Sequence, residues 1–234
     1  MKIKLLQLKA LIIGGIFATT AGVGQIGEPL VACSADGNKI VAVFDGGRIS
    51  NSINAGATWR SNNVPIASWR AVASSANGAT LVAAINGGGG YTSLNSGLTW
   101  HPNGLPAESW AALASSQDGT KLVAAASDFG PVSTSTDSGS TWRSNNLPNL
   151  WWSSVASSAD GLKLAVAGGG YDGSVGVIYI SADAGTNWRS NNVAETYWNA
   201  IASSADGTRL VRLSNSSPHS TVNHSPAQSS LCFC

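Results

Sequence analysis

The sequence predicts an all-β chain: a β-propeller of four-stranded antiparallel blades, about four to five in number and not necessarily a complete ring. Three markers predict it. An eight-residue phrase recurs as "SINAGATW" at 52–59, "SLNSGLTW" at 93–100, "STDSGSTW" at 135–142 and "SADAGTNW" at 181–188, with its tryptophans 41, 42 and 46 residues apart. A second phrase, "SADG" or a near copy, stands at 34–37, 75–78, 116–119, 158–161 and 204–207. A further tryptophan follows each phrase tryptophan by ten residues, at Trp69, Trp110, Trp152 and Trp198. Markers in fixed order at a blade-sized period define a true repeat.

Each unit parses into four short strands and their turns. In residues 68–104, "SWRAVASS" alternates and suits a first strand, A, and "ANGA" turns the chain. "TLVAAI" is an apolar, β-rich strand B, and "NGGGG" reads as a glycine turn. "YTSL" is strand C, "NSGL" the next turn and "TWHPN" strand D. No helical periodicity runs through residues 25–213.

The flanks differ from the repeat. Residues 1–24 carry Lys2, Lys4 and Lys9, then an apolar run from Ala10 to Phe17, then small residues. That layout predicts a secretory signal, and hence a secreted or periplasmic mature chain. Residues 214–234, "NSSPHSTVNHSPAQSSLCFC" and the residue before it, lack glycine turns and apolar alternation and predict a disordered or frameshifted tail. The repeat breaks off after Leu213, as a truncated longer propeller would. An open arc would leave blade edges free to pair with another copy.

Composition excludes several function classes. Only 11% of the 234 residues are charged. Three of the 13 basic residues fall in the first segment, and the remaining 10 face 12 acidic ones, a balance of −2. Electrostatic binding to nucleic acid or anionic lipid is not expected, and no stretch after residue 25 is apolar enough to span a membrane. Cys33, Cys232 and Cys234 form no disulfide framework, and Cys33 stands where other copies carry serine. His101, His219 and His224 lack metal-ligand spacing, and neither a phosphate loop nor a dinucleotide fingerprint occurs. No metal or cofactor is expected.

The phrase S-x-D-x-G-x-T-W resembles the Asp-box, the bacterial neuraminidase repeat. The resemblance covers residues 31–213 and implies the superfamily of sialidases, sortilin-type receptors, xyloglucan-degrading enzymes and photosystem II assembly-factor-like propellers. Its positions here are Asn54, Gly56 and Trp59; Asn95, Gly97 and Trp100; Asp137, Gly139 and Trp142; Asp183, Gly185 and Trp188. In such a turn the Asp oxygen accepts from backbone N–H groups a few residues on, and the Trp fills space between sheets. Asn54 and Asn95 depart from the pattern but keep one accepting oxygen. Four-fold copying favours a structural role.

The resemblance to sialidases would further imply an Arg-Ile-Pro-type motif, an arginine triad, a Tyr/Glu pair and an acid. No Arg-Ile-Pro occurs, and Arg60, Arg143 and Arg189 all sit in one repeated phrase, "WRSNN". No catalytic residue is therefore assigned. A glycosidase needs two carboxylates flanking one bond, and nothing singles out such a pair.

Strand order places the A–B and C–D turns on one face and the B–C turns and D–A linkers on the other. The second face carries the variable material, and variable loops are where ligands bind. Candidate ligand-binding residues are Asp45, Asn86, Asp128 and Asp172 of the B–C turns, Arg60, Arg143 and Arg189, and Trp151 and Tyr197 of the linkers. The functional expectation is a secreted, non-enzymatic scaffold for a protein or glycan ligand. The alternative is a sialidase- or xyloglucanase-like glycoside hydrolase, or a fragment of one.

Overall fold

The computed structural model describes residues 29–169, 176–195, 198–214 and 230–233. The signal segment read at 1–24 and most of the tail lie outside them. The first blade is β1–β4 (Leu30–Cys33, Ile40–Val43, Ser50–Ser52, Arg60–Ser61), and the second is β5–β8 (Trp69–Ser74, Leu81–Gly88, Gly90–Ser93, His101–Pro102). The third is β9–β12 (Glu108–Ser115, Leu122–Ala126, Val132–Ser135, Arg143–Ser144), and the fourth is β13–β16 (Trp152–Ser157, Leu164–Gly168, Gly176–Ser181, Arg189–Glu195). A fifth sheet holds β17–β19 (Trp198–Ser203, Leu210–Ser214, Ser230–Phe233). Every pairing is antiparallel between sequence neighbours, apart from one between β6 and β9. The segment Ser230–Phe233, read from sequence as part of a disordered tail, is thus the third strand of the fifth sheet, with Val211 opposite Phe233.

Strand B is longer than the sequence suggests in the second blade. Asn86–Gly88, read as part of a turn, stay in β6 and pair with the start of β9, Asn86 opposite Ser109 and Gly88 opposite Glu108. Strand D is shorter than expected, only two residues in the first three blades.

The cores lie between blades. The second blade offers small side chains, Ala71, Ala73 and Ala84, to the third, which inserts Trp110, Leu113 and Leu122. Ala112 and Ala114 of the third blade receive Trp152, Val155 and Leu164 in the same way. Small-against-large matching brings two sheets close without voids. Trp69, Trp110 and Trp152 are at most 2% exposed. Each contributes about 4–6 kcal/mol of apolar transfer as an upper value, from roughly 150–250 Å² of buried surface.

A bulge aims each of these tryptophans. Register shifts between Trp69 and Ala71, Trp152 and Ser154, and Trp198 and Ala200, and again where Trp110 meets Ala126. Simple alternation would put Trp69 on the face of Ala71 and Ala73. The extra residue turns it to the opposite face with Val72, against the preceding blade. There the Trp69 Nε1 donates to the Gly47 carbonyl at 3.0 Å, and the Trp152 Nε1 to that of Gly130 at 3.1 Å.

The A–B turns stitch the blades together. Ala35 N donates to Ala76 O, Ala76 N to Gln117 O, Gln117 N to Ala159 O, and Ala159 N to Ala205 O, all within 2.9 Å. Lys39, Lys121 and Lys163 each reach the next turn, donating from Nζ to the carbonyls of Asn77, Asp160 and Asp206 at 2.9 Å.

Candidate functional site

The two faces differ in how far their polar groups are satisfied. On the turn face, the eight-residue phrase forms the same network in four blades. In the third, the Ser135 hydroxyl donates to Asp137 Oδ1 at 2.8 Å and accepts from Gly139 N at 2.9 Å. Thr141 N donates to Asp137 Oδ1 at 2.9 Å, and the Thr141 hydroxyl to Oδ2 at 2.6 Å. Asn54 and Asn95 keep the backbone bond, accepting from Thr58 N and Thr99 N at 2.9 Å, and their amides donate to the threonine hydroxyls instead. The turn therefore survives the Asp-to-Asn departure. Ala55, Ser96, Ser138 and Ala184, each just before the turn glycine, also adopt positive φ, from 54° to 58°. The phrase tryptophans Trp100, Trp142 and Trp188 lie half-buried over the inter-blade cores.

The same hydrogen bonds hold the turn aspartates ionised. Donation from Ser34 and from Asn38 lowers Asp36 to about 2, and donation from Asn187 and Ser181 lowers Asp183 to about 2. Asp206, Asp137 and Asp160 are also lowered, by hydroxyl donors first. Asp118 is lowered too, its hydrogen bonds to Ser116 and Thr120 outweighing an opposing burial effect. A carboxylate depressed in the folded state stabilises the fold above its unfolded pKa, near 3.9, and loses that contribution as pH falls through the folded value. Stability should thus decline between about pH 4 and pH 2. Urea midpoints measured across that window check it, and a flat profile would contradict the turn network.

The opposite face is built from B–C turns and D–A linkers, and it is tied down at its base. Gly47 bridges to Ala67 and Gly130 to Leu150, fastening each turn to the next blade's linker. Ser127 N and Oγ both donate to the Ser109 carbonyl, at 2.7 and 2.9 Å. At the turn tips Asp45 and Asp128 are exposed, and so is Asn86 within the extended β6. Asp45 and Asp128 make no hydrogen bond or ion pair among the described residues, in contrast to all six turn-face aspartates. Trp151 is half-buried at the linker before β13.

The arginines do not join this group. Arg60, Arg143 and Arg189 open the D strands beside the turn face. Arg143 donates from Nη2 to the Gly185 carbonyl at 2.8 Å, a residue of the next blade's phrase turn. Its role is a blade-to-blade tie. Asp172 and Tyr197 lie outside the described residues. Asn62 and Asn145, unassigned from sequence, are buried and donate to the carbonyls of Ile49 and Val132, which explains the repeated "SNN" as structural. Phe129 was also missed: it is 54% exposed, and its ring meets Trp151 edge-to-face at 5.6 Å and 79°. Its signal was a break in the repeat, since the matching position of the first blade is Gly46.

No cluster of metal-ligating side chains occurs among the described residues, and no described helix is long and apolar enough to cross a membrane. An open depression over Ser204–Arg209 belongs to the turn face, where Asp206 is already hydrogen-bonded.

With this geometry in hand, solved structures give the comparison. The β-propeller domain of Cps50 (Swd1) from Myceliophteria thermophila is similar at TM-score 0.61 and 13% identity, covering 86% of this chain and 69% of that one. The fold is a β-propeller. The propeller is also similar to YCF48, solved bound to D1 peptide, at TM-score 0.59 and 15% identity over 88% of this chain and 68% of that one. The GH74 xyloglucanase of Xanthomonas campestris matches at TM-score 0.64 and 13% identity over 97% of this chain. The propeller spans 45% of that enzyme, and 27% of a second GH74 enzyme from Niastella koreensis. The sequence matches no protein-family model and no curated protein. At these identities the likeness is one of fold.

Proposed function

We propose that the chain is an Asp-box propeller acting as a secreted, non-enzymatic scaffold that holds a protein or glycan ligand on its loop face. One observation carries the reading. The turn face pairs all six of its aspartates by hydrogen bonds that recur blade by blade, whereas Asp45 and Asp128 on the loop face are exposed and unpaired. An unpaired carboxylate beside aromatic surface is available to a partner; a satisfied turn is not. The Ser–Asp–Gly–Thr network supports the Asp-box reading, and the lysine-bearing apolar segment at 1–24 supports export. A peptide ligand is supported by the likeness to YCF48, whose structure holds D1 peptide.

The second reading, a glycoside hydrolase or part of one, is favoured by the likeness to a xyloglucanase. The two readings part in one assay. Purified full chain incubated with xyloglucan and with sialylated glycans should release no reducing sugar or sialic acid. Release that disappears in Asp45→Asn or Asp128→Asn would overturn the scaffold reading in favour of the hydrolase.

A further inference from the structure

The third B–C turn departs from that of the first blade in both its backbone and its side chains. Ser127–Gly130 and Phe44–Gly47 are four-residue turns at matching places, closed by Gly130 N to Ser127 O at 3.0 Å and Gly47 N to Phe44 O at 3.2 Å, but only the third-blade turn has positive φ at both central residues. Both turns place a left-handed residue at the third position. The first blade supplies Gly46, at φ 68°, where positive φ carries no side-chain penalty. The third blade supplies Phe129 at φ 57°, directly after Asp128, also at φ 57°. A bulky residue in the left-handed region is strained, and this one leaves 54% of its surface in solvent. Strain combined with an exposed aromatic side chain marks a site rather than a packing solution.

The other described aromatic pairs are repeat features. Trp69 meets Tyr91, and Trp152 meets Tyr179, at equivalent places in two blades. Phe129 and Trp151 form a pair outside that pattern, their ring planes 79° apart. Perpendicular rings make a corner walled by π-electron density. Asp128, exposed and unpaired, is the adjoining residue in the chain. A flat sugar ring stacks best on an open aromatic platform, which an edge-to-face pair obstructs. A compact cation fits a corner, attracted by the ring faces, and the carboxylate on the adjoining residue adds negative charge to the same turn.

We infer that Asp128, Phe129 and Trp151 form a recognition site for a cationic side chain, a lysine ammonium or its methylated form, presented by a peptide ligand. The inference rests on the loop-face reading and names the chemistry of its ligand.

The test is a calorimetric or NMR titration of the full chain at low ionic strength. Three probes are compared: tetramethylammonium chloride, an acetylated and amidated Gly-Gly-Lys-Gly-Gly peptide, and cellotetraose as a neutral sugar. The cationic probes should bind and cellotetraose should not. Phe129→Gly and Asp128→Asn should each weaken the cationic probes about three- to tenfold. Raising salt should weaken binding to the wild type more than to Asp128→Asn. Phe129→Gly should melt no lower than the wild type, because glycine relieves the left-handed strain. No saturable binding of either cation would overturn the inference, as would equal binding by Phe129→Gly. A lower melting point for Phe129→Gly with binding unchanged would make Phe129 structural. Cellotetraose bound in preference, and lost in Phe129→Gly, would overturn the cation assignment while leaving the loop face as the binding surface.

Discussion

Trp152→Ala is expected to destabilise the propeller by about 3–5 kcal/mol, the range for deleting a fully buried Trp. Its indole is 2% exposed and fills the core between the third and fourth blades, among Ala112, Ala114, Val155 and Val166. Truncation also orphans the Gly130 carbonyl, which accepts from the Trp152 Nε1 at 3.1 Å. Among the described residues the main inter-blade contacts run between sequence-adjacent blades, so the loss falls on one interface and uncouples the blades on either side. Urea unfolding followed by fluorescence should lose its single transition and show two. Trp59→Ala is the contrast: Trp59 is half-buried, joins no inter-blade core among the described residues, and its loss should cost clearly less. Equal effects from the two substitutions would contradict the inter-blade account.

Gly161→Ala against Gly37→Ala gives the second large effect, with its control built into the repeat. Both glycines close an A–B turn at nearly the same φ, 67° and 70°. A Cβ on Gly161 would stand 2.7 Å from the Lys121 Cβ and 2.9 Å from the Ser116 Cβ of the preceding blade. A Cβ on Gly37 would meet nothing within 4 Å. Both variants carry the left-handed penalty, about 1–2 kcal/mol. Only Gly161→Ala adds overpacking, about 1–3 kcal/mol more. Denaturation midpoints of the two variants isolate that difference. If they coincide, the A–B turns are not packed blade on blade.

What could be read from the sequence was whatever repeats. The two phrases and the second tryptophan placed the blades, their strands and the division into faces, because a turn needed in every blade is written in every blade. The direction of Trp69 and its equivalents was not legible. A bulge after each tryptophan reverses its face, and alternation alone assigns it to the wrong one. The burial of Asn62 and Asn145 was hidden because asparagine in a linker looks like a solvated turn residue; only the fold shows the carbonyls of Ile49 and Val132 waiting for a donor. Sequence alone groups the repeated arginines with the loop face, yet Arg143 is bound to the phrase turn of the next blade. The candidate site itself was partly visible, through Asp45, Asn86, Asp128 and Trp151. Phe129 was not, because its significance lies in a backbone angle.

The most direct test of the central claim, that ligand recognition belongs to the loop face, compares three proteins on one array of peptides and oligosaccharides. They are the wild type, a loop-face variant (Asp45→Asn, Asp128→Asn, Trp151→Ala) and a turn-face variant in which the exposed Ile53, Leu94 and Leu98 become serine. The account predicts that the wild-type hits persist in the turn-face variant and vanish in the loop-face variant, with both variants folded by circular dichroism. Hits that survive on the loop-face variant and vanish on the turn-face variant would contradict it.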